Sequence, residues 1–287
     1  MSHIHSTSNI ESDIRPNPDK LLEVIQREDN AKHRGHLKIF FGYAAGVGKT
    51  YAMLQAAQKA KQRGIDVVIG YIEPHDRPAT EHLTHNLEQV PLLDIEYNNI
   101  LLHEMNLDAV IKRNPQLVLV DELAHTNAPG SRHDKRYRDV LELLEAGIDV
   151  YTTINVQHIE SLNDIVAAIT NVVVHERIPD KVFDAADQVE LVDIEPEELL
   201  ERLNAGEIYK KQQVARAQQN FFTVENLTAL REIALRRCAD RMNLLSIDAR
   251  AKNGRSYYTG EHVLVCISPS PSTARKYTCS CTYGSCF

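Results

Sequence analysis

The residues best suited to chemistry begin at Gly42-Tyr43-Ala44-Ala45-Gly46-Val47-Gly48-Lys49-Thr50, which follow an apolar run and open an amphipathic one. A turn of this kind surrounds an anion with backbone N–H groups and a helix N-terminus. Gly46, Val47 and Gly48 would form the cradle, Lys49 would bridge the β- and γ-phosphates of ATP, and the Thr50 hydroxyl would ligate Mg²⁺. The pattern G-x-x-x-x-G-K-[ST] asks for glycine at position 43, where this chain has Tyr43, with Gly42 one place early. A dinucleotide fingerprint is absent.

A second motif has the form of a Walker B element. Leu117-Val118-Leu119-Val120 is an apolar strand ending in Asp121 and Glu122. Asp121 would hold the Mg²⁺, directly or through water. Glu122 is the candidate catalytic residue, placed to polarise a water for attack on the γ-phosphate. The polar loop that follows carries His125, Arg132, Lys135 and Arg136, as phosphate sensors, as groups reaching a neighbouring subunit, or simply as a charged surface loop. Of these, Arg132 is taken as a nucleotide-binding candidate. Thr152, Thr153, Asn155, Gln157 and His158 end a further strand, where they would either line the site or serve as β-formers and a helix cap.

Short apolar runs alternating with amphipathic stretches must position these groups, and that alternation predicts β-α-β units with a parallel sheet. Strands are expected at residues 37–42, 66–72, 92–97, 116–121, 149–155 and 189–194, and helices at 50–63, 78–89, 106–113, 135–146 and 157–169. Gly64 and Gly147 stand at helix C-cap positions. Beyond residue 195 the strand signal stops, and helices are expected at 196–204, 208–221 and 224–242. In the last, Leu227, Leu230, Ala234 and Cys238 form an apolar stripe beside Arg231, Arg236, Arg237 and Arg241, a solvated or docking face.

The organisation expected is a disordered N-terminus (1–16), an ATP-binding domain (17–248) with a helical extension (195–248), a linker (249–261), and a fragment and tail (262–287) opening on the strand 262–268. At 43% apolar and 25% charged the composition is that of an ordinary globular protein. A net charge of −8 argues against a general nucleic-acid binder. No run approaches the ~20 apolar residues of a membrane helix, so direct membrane insertion is not expected. Cys279, Cys281 and Cys286 crowd the tail without a fourth metal ligand.

Four stretches, KIFFGYAAGVGKTYAML, LVLVDELAHTNAPGSRHDKRYRDV, ELLEAGIDVYTTINVQHIESLND and LTALREIALRRCADR, resemble the N-terminal sensor region of the KdpD family, the osmosensitive potassium-channel sensor histidine kinases of bacteria. The resemblance spans roughly residues 14–277 and includes the lack of glycine at Tyr43. It implies a P-loop NTPase-like α/β fold, with a mostly parallel sheet flanked by helices, a helical segment, and the truncated start of a universal-stress-protein-like domain. In some members that last domain binds cyclic di-AMP, with Ser268 and Ser270 in the corresponding loop; one strand and a loop are not expected to bind it. After Lys276 the resemblance ends, and the membrane helices and kinase core have no counterpart in this sequence, which reads as a short version of the input end that cannot autophosphorylate.

The function so implied is an ATP- and Mg²⁺-binding regulatory module of a potassium- or turgor-responsive two-component system, with a histidine kinase or potassium-transport regulator as partner. It would be cytoplasmic or recruited to the inner face of the membrane, alone or as a homo-oligomer. The alternatives are a free-standing P-loop ATPase or small-molecule kinase, and a scaffold whose site has decayed.

Overall fold

In the computed structural model, residues 34–73, 78–206, 208 and 221–253 are described. The expected disordered N-terminus, most of the helix at 208–221 and the strand at 262–268 fall outside them. The chain divides into two compact units, Met1–Leu235 and Arg236–Phe287. The first unit opens with β1 (Leu37–Gly42), α1 (Lys49–Gln62), β2 (Val67–Tyr71), α2 (Pro78–Thr84) and β3 (Glu88–Gln89). There follow β4 (Leu93–Tyr97), β5 (Ile100–Glu104), α3 (Leu107–Arg113), β6 (Leu117–Val120) and α4 (Arg136–Glu145). The remainder is β7 (Asp149–Asn155), α5 (Asn163–Thr170), α6 (Asp180–Asp184), β8 (Gln188–Leu191) and α7 (Pro196–Asn204), and then α8 (Val224–Asn253), which continues into the second unit.

Six strands form one sheet in the order β3-β2-β6-β7-β1-β8, and every pairing in it is parallel. Strands β2 and β6 are buried at every position, as parallel strands covered on both faces must be. The order places β7 between β1 and β6, with Gly42 in register with Asn155 and Val120 with Thr152. The loop after β1, the acids after β6 and the polar end of β7 therefore meet along one edge of the sheet.

Helix α1 is built of strong helix formers, KTYAMLQAAQKAKQ. Met53, Leu54, Ala57 and Ala60 recur on one face and pack on Phe40, Val67, Ile69, Leu117 and Leu119. Burial of Met53 and Leu54 stabilises this contact by about 1.5–3 kcal/mol each. The helix N-terminus is thereby clamped over the end of β1.

Several sequence expectations change. Leu93–Tyr97 does not enter the parallel sheet; it pairs antiparallel with Ile100–Glu104. Asn98 and Asn99 close this hairpin at φ 50° and 62°, the left-handed pair a tight two-residue turn requires. The helix expected at 78–89 stops at Thr84, and Glu88–Gln89 becomes an edge strand on β2. The helix expected at 157–169 is two 3₁₀ turns followed by α5, because Ile159 is extended and bridges to Ile178. Helix α8 runs on through residues 249–253, the opening of the expected linker.

One buried ion pair ties these pieces together. Arg136, fully buried at the start of α4, donates to Glu104 at the end of β5 (3.0 Å) and to the carbonyl of Asp121 (3.1 Å), with its guanidinium 3.8 Å from the Tyr71 ring centroid. Arg136→Ala leaves Glu104 charged, buried and without its main counter-ion. Urea denaturation should show a loss of about 3–5 kcal/mol. A double Arg136→Met/Glu104→Gln variant should be more stable than Arg136→Ala alone, whereas a single-variant loss below about 1 kcal/mol, the level of an exposed pair, would contradict this role.

Candidate functional site

The phosphate loop bends through Gly46 (φ 90°) and Gly48 (φ 102°), conformations that side chains with a Cβ resist. Tyr43 needs no such freedom. It stays out of the left-handed region, is buried, and donates its hydroxyl to the Ile194 carbonyl (3.1 Å), so a large residue here anchors the loop where the common pattern has glycine. Burial, followed by the nearby Asp193 charge, holds that phenol above its usual value, so it remains a donor. Helix α1 begins without a side-chain cap and without an acid in its first turn, leaving its N-terminal N–H groups to face the cleft. Lys49 Nζ donates to the Ala44 carbonyl across the loop (3.0 Å).

Behind the loop, Thr50 Oγ1 donates to Asp121 Oδ2 (3.1 Å). The other oxygen of Asp121 accepts from the Thr153 hydroxyl and from the Glu122 N–H (3.1 Å). Glu122 itself sits at φ 57°, a left-handed bend held by Asp121, by Thr153 Oγ1 (3.2 Å) and by the Arg136 bond to the Asp121 carbonyl. Glu122 lines the cleft and is exposed as a whole. Desolvation by the cleft walls, then the charges of Asp121 and Glu73, still push its carboxyl up to about 7.

Gly46, Gly48, Lys49, Thr50, Asp121 and Glu122 line one cavity of ≈ 180 Å³, together with His125, Thr153, Asn155 and His158. Val47 is buried and does not line it. Asn155 Oδ1 has no hydrogen-bond partner. His158 Nδ1 faces the Glu176 carbonyl at 2.8 Å and is therefore the protonated nitrogen. Burial holds its pKa below the usual value, so the ring is a neutral group at pH 7.

The cationic loop is corrected. Arg132 does not reach the cavity; it pairs with Asp108 and Glu142 and lines a separate hollow beside α3. Lys135 donates to Thr126 Oγ1 (2.6 Å), and Arg136 is structural. Only His125 of that group lines the cavity, held by Glu104 (3.1 Å). Arg231, in the expected basic face, is committed to Asp193 and Glu195. Sequence reading missed Tyr51, Thr80, Glu176 and Ile208 on the cavity wall. Tyr51 adjoins the motif and was legible by position; the other three arrive through tertiary folding.

The donor set fits a magnesium–nucleotide. A hydroxyl and a carboxylate already in contact are the hard oxygen ligands Mg²⁺ takes alongside its waters and phosphates. The left-handed glycines and uncapped N–H groups suit the phosphates, and Asn155 Oδ1, an unpartnered acceptor, could accept a hydrogen bond from a metal-bound water. Bound there, the metal would supply charge neutralisation on the phosphates. Among the described residues no group of three or more His, Cys, Asp or Glu forms a metal cage of its own, and no helix is long and apolar enough to cross a membrane.

Residues 33–242 match the family model described as the KdpD osmosensitive K⁺ channel His kinase sensor domain. The chain is similar to the sensor protein KdpD of Clostridium acetobutylicum, 60% identical over 91% of this chain and 29% of that protein. It is similar to its Escherichia coli counterpart at 50% identity over 88% of this chain and 28% of that protein. A putative sensor protein KdpD of Synechocystis is 51% identical over 84% of this chain and 64% of that protein. The chain thus spans about three-tenths of the first two relatives. The solved structure of AMPPCP-bound DnaA from Aquifex aeolicus covers 84% of this chain and 68% of that one at 14% identity and TM-score 0.32, too slight a likeness to argue from. The match across residues 33–242 and the identity to these relatives place the chain in the KdpD family of osmosensitive K⁺ channel His kinase sensor domains.

Proposed function

We propose that this chain is an ATP- and Mg²⁺-binding regulatory module of a potassium- or turgor-responsive two-component system, and that it modulates a histidine kinase. The observation that carries the nucleotide reading is the Thr50–Asp121 contact beneath the uncapped start of α1. Lys49 and the loop N–H groups would hold the phosphates, and Thr50 and Asp121 the metal. The partner is inferred from family membership and from relatives more than three times the length of the matched region. Action at the inner face of the membrane follows from the same inference.

Calorimetry with Mg²⁺–ATP should show binding by the wild type that is lost in Lys49→Ala. Equal affinity in both proteins would remove the phosphate loop from the reading.

A slow ATPase activity is a second reading, and one observation favours it. Glu122 lines the cleft and carries a carboxyl near neutrality, able to accept a proton from an attacking water. Only the deprotonated form is a base, so turnover should rise with pH and then level off, with the midpoint below that of the metal-free carboxyl because bound Mg²⁺ favours the anion. Glu122→Gln should cut turnover by about 10²-fold or more, the range of a general base, while leaving ATP affinity within a few fold. Phosphate release assays on both proteins across pH 5.5–9, at fixed ionic strength, test this. A turnover unchanged by the substitution would assign hydrolysis elsewhere.

A further inference from the structure

The cavity behind the phosphate loop measures ≈ 180 Å³. Sites that enclose a whole drug-sized ligand run to about 300–1,000 Å³. On the ATP-binding reading, on which this inference rests, the cavity therefore takes phosphates and metal, and the base lies at its mouth.

Tyr51 stands at that mouth. It follows Thr50 directly in the first turn of α1 and lines the cavity. Core packing does not account for it: the buried face of α1 is Met53, Leu54, Ala57 and Ala60, whereas Tyr51 is 41% exposed. Gln55, one turn along, donates from Nε2 to the Tyr51 hydroxyl (3.1 Å), which steadies the ring against the helix. The ring is thus a flat apolar surface, fixed at one edge, beside the phosphate cradle.

We propose that Tyr51 is the base-stacking residue of this site, through which the chain prefers a nucleoside triphosphate to a bare triphosphate. A base offers a π face to such a ring whatever its hydrogen-bonding edge, so the preference is for a nucleoside over none rather than for adenine over guanine. The phosphate contacts, made by Lys49, Thr50 and the loop N–H groups, are independent of it.

Calorimetric affinities of the full chain for Mg²⁺–ATP and Mg²⁺–tripolyphosphate separate the two contributions. Tyr51→Ala should weaken ATP about 5- to 100-fold, the range of one lost stacking contact, and leave tripolyphosphate within about 2-fold. Tyr51→Phe should keep ATP within about 2-fold, since the ring and not the hydroxyl carries the contact. The chain contains no tryptophan, so Tyr51→Trp adds a single reporter whose fluorescence ATP should change and tripolyphosphate should not. Equal weakening of both ligands by Tyr51→Ala, or of neither, overturns the stacking role while leaving the nucleotide reading intact. Failure of the wild type to bind either ligand overturns both.

Discussion

The site hangs on a carboxylate that touches no ligand. Glu104 ends the β4–β5 hairpin, and its two oxygens accept from Arg136, His125 and the Ala128 N–H. Desolvation opposes its charge, but those hydrogen bonds and the neighbouring cations win and hold the carboxyl below the usual range. Arg136 spends its remaining reach on the Asp121 carbonyl and lies over the Tyr71 ring, pinning the ends of β2 and β6 at once. Without this pair a buried guanidinium would face only a ring and a carbonyl. The bend that separates Asp121 from Glu122 would lose its backbone anchor. A hairpin that would be marginal alone is tied to the cavity edge because one of its residues is bound into the core.

How much of this the sequence exposes depends on the range of the interaction. The phosphate loop, the β6 acids and the parallel sheet follow from local patterns, since each is a short run whose composition states its burial. The hairpin was half visible: Leu93–Tyr97 read as a strand, but its partner carries no alternation that sets it apart from the helix beginning at Leu107. The Asn98–Asn99 turn was the signal that would have found it. Arg132, Lys135 and Arg136 look alike in a line of text. Only the fold sorts them into a surface ion pair, a hydroxyl contact and a buried clamp, because their fates turn on Asp108, Thr126 and Glu104, up to 32 positions away.

Tyr43 shows what a departure from a motif can mean. Its hydroxyl reaches Ile194, and the flanking Asp193 and Glu195 are gripped by Arg231 from α8. A further contact falls on the same loop: Arg202 donates to the Gly46 carbonyl (3.4 Å). The phosphate loop is therefore fastened at two points to one segment, residues 193–202, and that segment is fastened to the start of the 30-residue helix. This is a continuous run of hydrogen-bonded and charged contacts from cradle to helix.

On the proposed nucleotide reading, the electrostatics of the cleft would bias that run of contacts. Asp121 and Glu122 line the cavity, and desolvation, followed by the charges of Asp121 and the more distant Glu73, raises the Glu122 carboxyl toward neutrality. Like charges held this close are destabilising until a cation enters, and a divalent metal held by Thr50 and Asp121 would relieve them. The loop would then tighten around Gly46 and Lys49, the residues against which α7 and the Ala44 carbonyl already rest. On the proposed nucleotide reading, occupancy would act first on the fastening points of residues 193–202, and through them on Arg231 and the long helix.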